Sequence, residues 1–221
     1  MSAQEPTSGG ETRDRILRTA FQLFHEQGFN ATGVATIVRE AGINPGSLYH
    51  FFDSKDDLLL GVLEFALEYL GPAVMAPVEA RVADPVDRVF ALLQGYRDRM
   101  VREHCRMGCP MGNMALEVSD GNARARALVH RNFENWSARV ASWFEGDPRL
   151  PADVDRFRLA RFILTVMEGG LMQARAAGTL APFDESVAVL RDYFERLGVR
   201  PTMRVARRTS ANRKSTRRRT R

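Results

Sequence analysis

Thr32-Gly33-Val34-Ala35-Thr36-Ile37-Val38-Arg39-Glu40-Ala41-Gly42-Ile43-Asn44-Pro45-Gly46-Ser47-Leu48-Tyr49-His50-Phe51-Phe52-Asp53-Ser54-Lys55-Asp56-Asp57-Leu58 is the stretch that decides the fold. Its first segment, about Val34 to Glu40, reads as a short helix with Thr32 placed to cap it. Ala41-Gly42-Ile43-Asn44 reads as a sharp turn, because Gly42 can take the left-handed conformation that ends a helix. Asn44 then caps a second helix. Pro45 occupies its first position, where a missing N–H costs nothing. That helix ends near Phe51. Ser54 and Asp57 form a capping box for a longer helix expected to stop at Leu70, before Gly71-Pro72.

Two short helices across a four-residue, glycine-containing turn make a helix-turn-helix, whose second helix enters the DNA major groove. On that helix Leu48 and Phe51 should pack inward. Pro45, Gly46, Ser47, Tyr49 and His50 then face out. Small residues at its start allow close approach to DNA, and Ser47, Tyr49 and His50 carry groups that hydrogen-bond to base edges or phosphate. Lys55 opposes the dipole of the helix it begins, so stability does not account for it. A phosphate shared with exposed helix N–H groups does.

The quoted stretch resembles the DNA-binding domain of the TetR family, which pairs a T-x-V-x-x-I-A helix with A-G-V-S-x-G-x-L-Y-x-H-F-x-S-K-x-x-L. This chain departs at Val38, Asn44 and Phe51. The resemblance covers about residues 12–60. It implies an all-helical, homodimeric repressor that binds double-stranded operator DNA and a small-molecule effector, with the last two long helices forming the dimer interface. DNA contact is expected at Thr32, Gly33, Asn44, Pro45, Gly46, Ser47, Tyr49, His50 and Lys55.

Working outward, the chain reads as all-α, about nine helices, with no period-2 strand runs. A helix from Thr12 to about Gln27 precedes the motif. Others run from about Pro85 to His104, Met111 to Ser119, Ala123 to Phe144, Asp153 to Ala177 and Phe183 to Leu197. The expected organisation is a disordered leader (1–11), a DNA-binding domain (12–57), a ligand-binding and dimerisation domain (58–200) and a basic tail (201–221).

Charge is distributed unevenly. Nine of the 32 basic residues and none of the 27 acidic ones lie in 204–221, so residues 1–203 carry 23 against 27, a net −4. Such a tail buries no apolar surface and is expected to be disordered, adding sequence-independent DNA affinity or serving only as a solubilising tail. Residues 11–57 hold five basic and seven acidic side chains. Binding driven by phosphate neutralisation is therefore modest for one domain, and dimerisation must supply the rest. No apolar run reads as a membrane span and no signal peptide is apparent, so no membrane partner and a cytoplasmic location are expected.

Candidate lining for an adaptable apolar pocket is Phe90, Tyr96, Cys109, Met111, Asn113, Met114, Trp136 and Met167. Plain core packing accounts for such residues equally well. The candidate dimer face is Phe162, Gly169, Gly170, Val187, Leu190 and Phe194. Cys105 and Cys109 sit beside Arg102, His104 and Arg106, where positive charge lowers a thiol pKa. Gly108-Cys109-Pro110-Met111-Gly112-Asn113-Met114-Ala115-Leu116-Glu117 resembles a stretch in a TetR branch that includes electrophile sensors such as NemR-like proteins. Cys109 is thus either a small packed residue or a sensor. Two cysteines and His104 lack a fourth zinc ligand, so neither metal nor cofactor is expected. No catalytic constellation stands out: there is no H-E-x-x-H and no phosphate-cradling loop, which argues against an enzyme.

Overall fold

The computed structural model describes residues 8–203; the stretch 204–221 that carries the basic tail lies outside the described residues. Those described form ten helical segments and no strand. They are α1 (Ser8–Gln27), α2 (Val34–Glu40), α3 (Pro45–Phe51), α4 (Lys55–Val74), α5 (Ala76–Glu79), α6 (Pro85–Arg102), α7 (Pro110–Val118), α8 (Ala123–Trp143), α9 (Arg156–Ala177) and α10 (Ala181–Arg196). The all-α architecture is as expected. The segment missed by sequence reading is α5, a single turn too short to show a period.

The caps follow the sequence. Asn44 accepts the Ser47 N–H at 2.8 Å, and Ser54 accepts that of Asp57 at 3.0 Å. Gly42, at φ +63°, makes the left-handed turn between α2 and α3. Other boundaries moved. α1 starts at Ser8, so residues 8–11, assigned to the leader, are helical. Glu11 in its first turn favours that extension. α4 continues to Val74 with Pro72 inside it. Proline there lacks the N–H that would bond to the carbonyl four residues earlier, so the helix runs through it at the loss of one hydrogen bond.

α10 packs on α9, α9 on α8, α8 on α4, and α4 on α1. α1 carries α2 on one side and meets α7 on another. By length and composition Lys55–Glu79 is apolar enough to cross a bilayer, contrary to the sequence reading. Its Leu58, Leu59, Leu60, Val62, Leu63 and Ala66 are instead buried among the other helices, making α4 the central core helix.

The body extends past the expected boundary at residue 200. Asp87 near the start of α6 accepts the N–H groups of Thr202 and Met203 at 2.8 and 2.9 Å. Arg191 donates to the Met203 carbonyl at 2.6 Å and lies 4.1 Å over the Phe90 ring.

Candidate DNA interface and internal cavity

α3 turns Leu48 fully inward and leaves Pro45, Gly46, Tyr49 and His50 exposed. Tyr49 is 53% exposed. Phe51 is half-buried, its ring edge-on to His50 at 4.9 Å. The Ser47 hydroxyl donates to Asn44 Oδ1 at 3.1 Å, so Asn44 and Ser47 build the start of the rod while Tyr49 and His50 remain its outward polar groups. Gly9 and Thr12 of α1 border the same concavity as Asn44, Gly46, Ser47, His50 and Phe51.

Two of the proposed contacts sit differently from the sequence reading. Thr32 is fully buried, and its hydroxyl donates to the Gly28 carbonyl at 2.6 Å. It locks the α1–α2 loop; it neither faces outward nor caps α2, whose N-cap is the exposed Gly33. Lys55 lies with Nζ 4.3 Å from the Phe29 ring centre. A cation over an aromatic face is itself attractive, so phosphate is no longer the sole reason for a lysine there. Arg13 lies over Phe52 and Arg18 over Phe65, at 5.6 and 5.3 Å. Arg39 pairs with Glu40 at 3.0 Å.

Behind this domain lies a cavity of about 270 Å³. The end of α4, α6, α7, α8 and α9 enclose it. Of the expected lining, Tyr96, Cys109, Met111, Trp136 and Met167 are present. Across the shared wall of Cys109, Phe133, Leu164 and Glu168 runs an open groove of about 650 Å³, which Asn113 lines. Arg175 orients Asn113, donating to its Oδ1 at 3.3 Å. Phe90 and Met114 line neither space. Phe90 is fully buried, 5.9 Å from the Phe194 ring, and Met114 is core. Sequence reading missed Glu168, although its place one turn from Leu164 and three residues before Leu171 puts an acid beside the apolar stripe of α9.

The Cys109 thiol is buried, as the packed reading has it, and its surroundings run against the lowered pKa that neighbouring positive charge would give. Burial pushes its pKa well up, the facing Glu168 carboxylate adds to this, and the N–H groups of Gly112 and Met111 only partly oppose them. The nearby basic residues do not govern it. Glu168 is itself raised by burial, against a contribution from Cys109. Burial also holds the Tyr96 phenol well above its ordinary range.

The cavity touches the DNA-binding domain through α7. The Glu117 carboxylate accepts the N–H groups of Phe29 and Asn30 at 2.8 and 2.6 Å, closing the α1–α2 loop. His25 on α1 bonds to the Gly108 carbonyl at 2.9 Å and to Arg99 at 3.1 Å, and Arg99 also lines the cavity.

The expected dimer face divides in two. Val187, Leu190 and Phe194 are buried within their own chain, and a side chain on Gly170 would meet the Phe183 ring at 3.0 Å. These four are core. Phe162 is exposed and Gly169 has open space around it. They share the outer surface of α9 and α10 with Met172, Val189 and Tyr193. The Phe162 and Tyr193 rings meet edge to face at 5.6 Å.

An all-helical chain with an outward-facing second helix of a helix-turn-helix is a DNA-binding transcriptional regulator. The comparisons agree. Residues 16–62 match the model described as bacterial regulatory proteins, tetR family, and residues 85–188 match the LmrA/YxaF-like transcriptional regulator C-terminal domain. An uncharacterized HTH-type transcriptional regulator of Bacillus subtilis (strain 168), YxaF, is 31% identical over 170 residues, covering 75% of this chain and 86% of that one. A TetR transcriptional regulator from Chloroflexus aurantiacus superposes with a TM-score of 0.72 at 26% identity, covering 86% of this chain and 98% of that one. The reduced form of Escherichia coli NemR gives 0.72 at 21% identity over 82% and 96%, a likeness of fold alone. The chain belongs to the TetR family.

Proposed function

We propose that the protein is a homodimeric repressor that holds an operator through α3 and releases it when a small molecule fills the cavity. One observation carries this reading: α7 forms the cavity wall at Cys109 and Met111 and grips the α1–α2 loop at Glu117. A ligand that displaces one end of this nine-residue helix works against the other. Release then follows as a population shift toward a pose whose two recognition helices no longer match successive major grooves, about 34 Å apart.

The outer face of α9 and α10 supplies the dimer contact in this reading, and the basic residues beyond Met203 add sequence-independent affinity. A thiol sensor has weaker support, because Cys109 is buried and kept protonated.

The test uses operator DNA recovered from a random pool and a ligand screened for release. Operator affinity should fall about 5–150-fold with ligand bound, and ligand affinity should fall by the same factor with operator bound. Glu117→Ala should bind the ligand as the native protein does yet show a smaller factor. An operator affinity indifferent to every bound ligand contradicts the mechanism.

A further inference from the structure

The open groove between α7, α8 and α9 differs in size and chemistry from the enclosed cavity beside it. Its volume, about 650 Å³, lies inside the range of roughly 300–1,000 Å³ usual for small-molecule sites, and the cavity of about 270 Å³ lies just below it. Phe133, Leu164 and Leu171 line the groove. So do Leu116 of α7 and Met172 of α9, which are 80% and 58% exposed. Exposed apolar side chains are ordinary when scattered singly, but two on one groove leave apolar surface for a ligand to cover.

The charged groups of the groove are not equally free. Arg161 and Glu134 hold each other at 2.6 Å. Glu168 belongs to the wall, but its carboxylate lies against Gly112 and Cys109, and Oε1 is closed off from solvent. His130 is exposed on α8. Arg175 stands apart. Among the described residues it is paired with no carboxylate, and its partner is the neutral Asn113 Oδ1 at 3.3 Å, a long bond. The residue is exposed, so the rest of its guanidinium fork is open. Two turns of α9, about 10 Å, separate it from Glu168. A planar fork with donors to spare matches a carboxylate.

We infer that this groove is a second small-molecule site, taking a ligand with an apolar, ring-sized body and a carboxylate that pairs with Arg175. Such binding is independent of whatever occupies the enclosed cavity. Gly169 and Met172 also belong to the outer face of α9 and α10, so the site lies beside the surface read above as the dimer contact. Asn113 lies on α7, the helix that holds the DNA-binding loop through Glu117. A carboxylate that draws Arg175 from Asn113 releases a tie between α7 and α9.

Three probes of one body test the chemistry: naphthoate, naphthamide and naphthylmethylamine, substituted at the same ring position. Each is titrated calorimetrically into the full-length protein at neutral pH. Naphthoate should bind at least about fivefold more tightly than either of the others, because only it forms a charge-assisted pair with Arg175. Arg175→Gln should bring naphthoate and naphthamide to within about twofold of each other, and Arg175→Lys, which keeps the charge without the fork, should fall between. Both variants should melt like the native protein, since Arg175 is exposed. Equal binding of the three probes, tightest binding of the amine, or no binding by any of them overturns the inference on the native protein alone. A preference for naphthoate that survives Arg175→Gln places the anion beside other cations, such as Arg99 and Arg139 of the cavity, and overturns it as well. Operator affinity is read separately. Arg175-dependent naphthoate binding that leaves operator affinity unchanged upholds the site and removes the Asn113 tie as a route to the DNA-binding loop.

Discussion

Glu117 and His25 tie α1 and the α1–α2 loop to α7 and the segment before it, alongside the continuous helix α4. Glu117 satisfies two backbone N–H groups of the α1–α2 loop. Removing it leaves both without their acceptor, and a lost bond to a charged group costs about 1.5–3 kcal/mol. Glu117→Ala should therefore lower the denaturation midpoint as well as the ligand coupling. His25 is buried, and burial lowers its pKa from the ordinary 6.5, with the Gly108 carbonyl opposing and Arg99 assisting. The unfolded chain then takes up the proton first as pH falls. Stability held by neutral His25 is complete above pH 6.5 and drains away below it, toward the lowered folded value. Denaturant titrations at neutral pH and at a pH one unit below 6.5 should show a loss in the native protein that His25→Asn lacks. An equal loss in both would place the effect elsewhere. Glu79 titrates well below this window, near 2, because Arg139 and Trp143 hydrogen-bond to its carboxylate, and does not interfere.

α3, α9 and α10 show how far an amphipathic pattern can be read at the scale of the element. Leu48 is inward and Tyr49 outward because helical spacing and the caps at Gly42 and Asn44 leave no other arrangement, and all of that was legible in the sequence. α10 has apolar residues on more than one side, so spacing alone could not say which side met α9 and which was left uncovered. Val187, Leu190 and Phe194 went to the core, leaving Val189 and Tyr193 outside. Thr32 was misread for a related reason: a hydroxyl near a helix start looks like a cap until the chain shows it bonded to Gly28. Two expectations follow. Tyr193→Asp combined with Phe162→Asp should shift the protein toward monomer in sedimentation while its melting stays cooperative. Phe194→Ala should cost about 3–5 kcal/mol of stability by emptying a buried site. Equal effects from both would contradict the division of the α9–α10 surface.

Over the whole molecule, a recognition domain with more acid than base is joined to a strongly basic terminal stretch. The domain's cations are largely engaged, with Arg13, Arg18 and Lys55 over aromatic rings. In the proposed reading, specific binding rests on the outward face of α3, doubled by dimerisation, and the basic residues past Met203 add a salt-dependent increment. Deleting residues 204–221 should flatten the dependence of log affinity on log salt by about 0.9 for each phosphate the tail had neutralised, with operator preference unchanged. Loss of preference along with the tail would place recognition in the tail. The cavity was only partly legible. Met111, Trp136 and Met167 announce an apolar space by type, but Glu168 acquires meaning only when α9 is laid against Gly112 of α7, a juxtaposition no local pattern encodes.

The most direct measurement is selection of bound sites from random double-stranded DNA, with the native protein and with Tyr49→Ala in parallel. The native protein should recover a two-fold symmetric site whose half-sites are centred about 34 Å apart or a multiple of it. Tyr49→Ala should melt like the native protein, since this side chain is exposed, yet bind that site at least about tenfold more weakly. An asymmetric or featureless pool, or an affinity unmoved by the substitution, would contradict recognition by a pair of α3 helices.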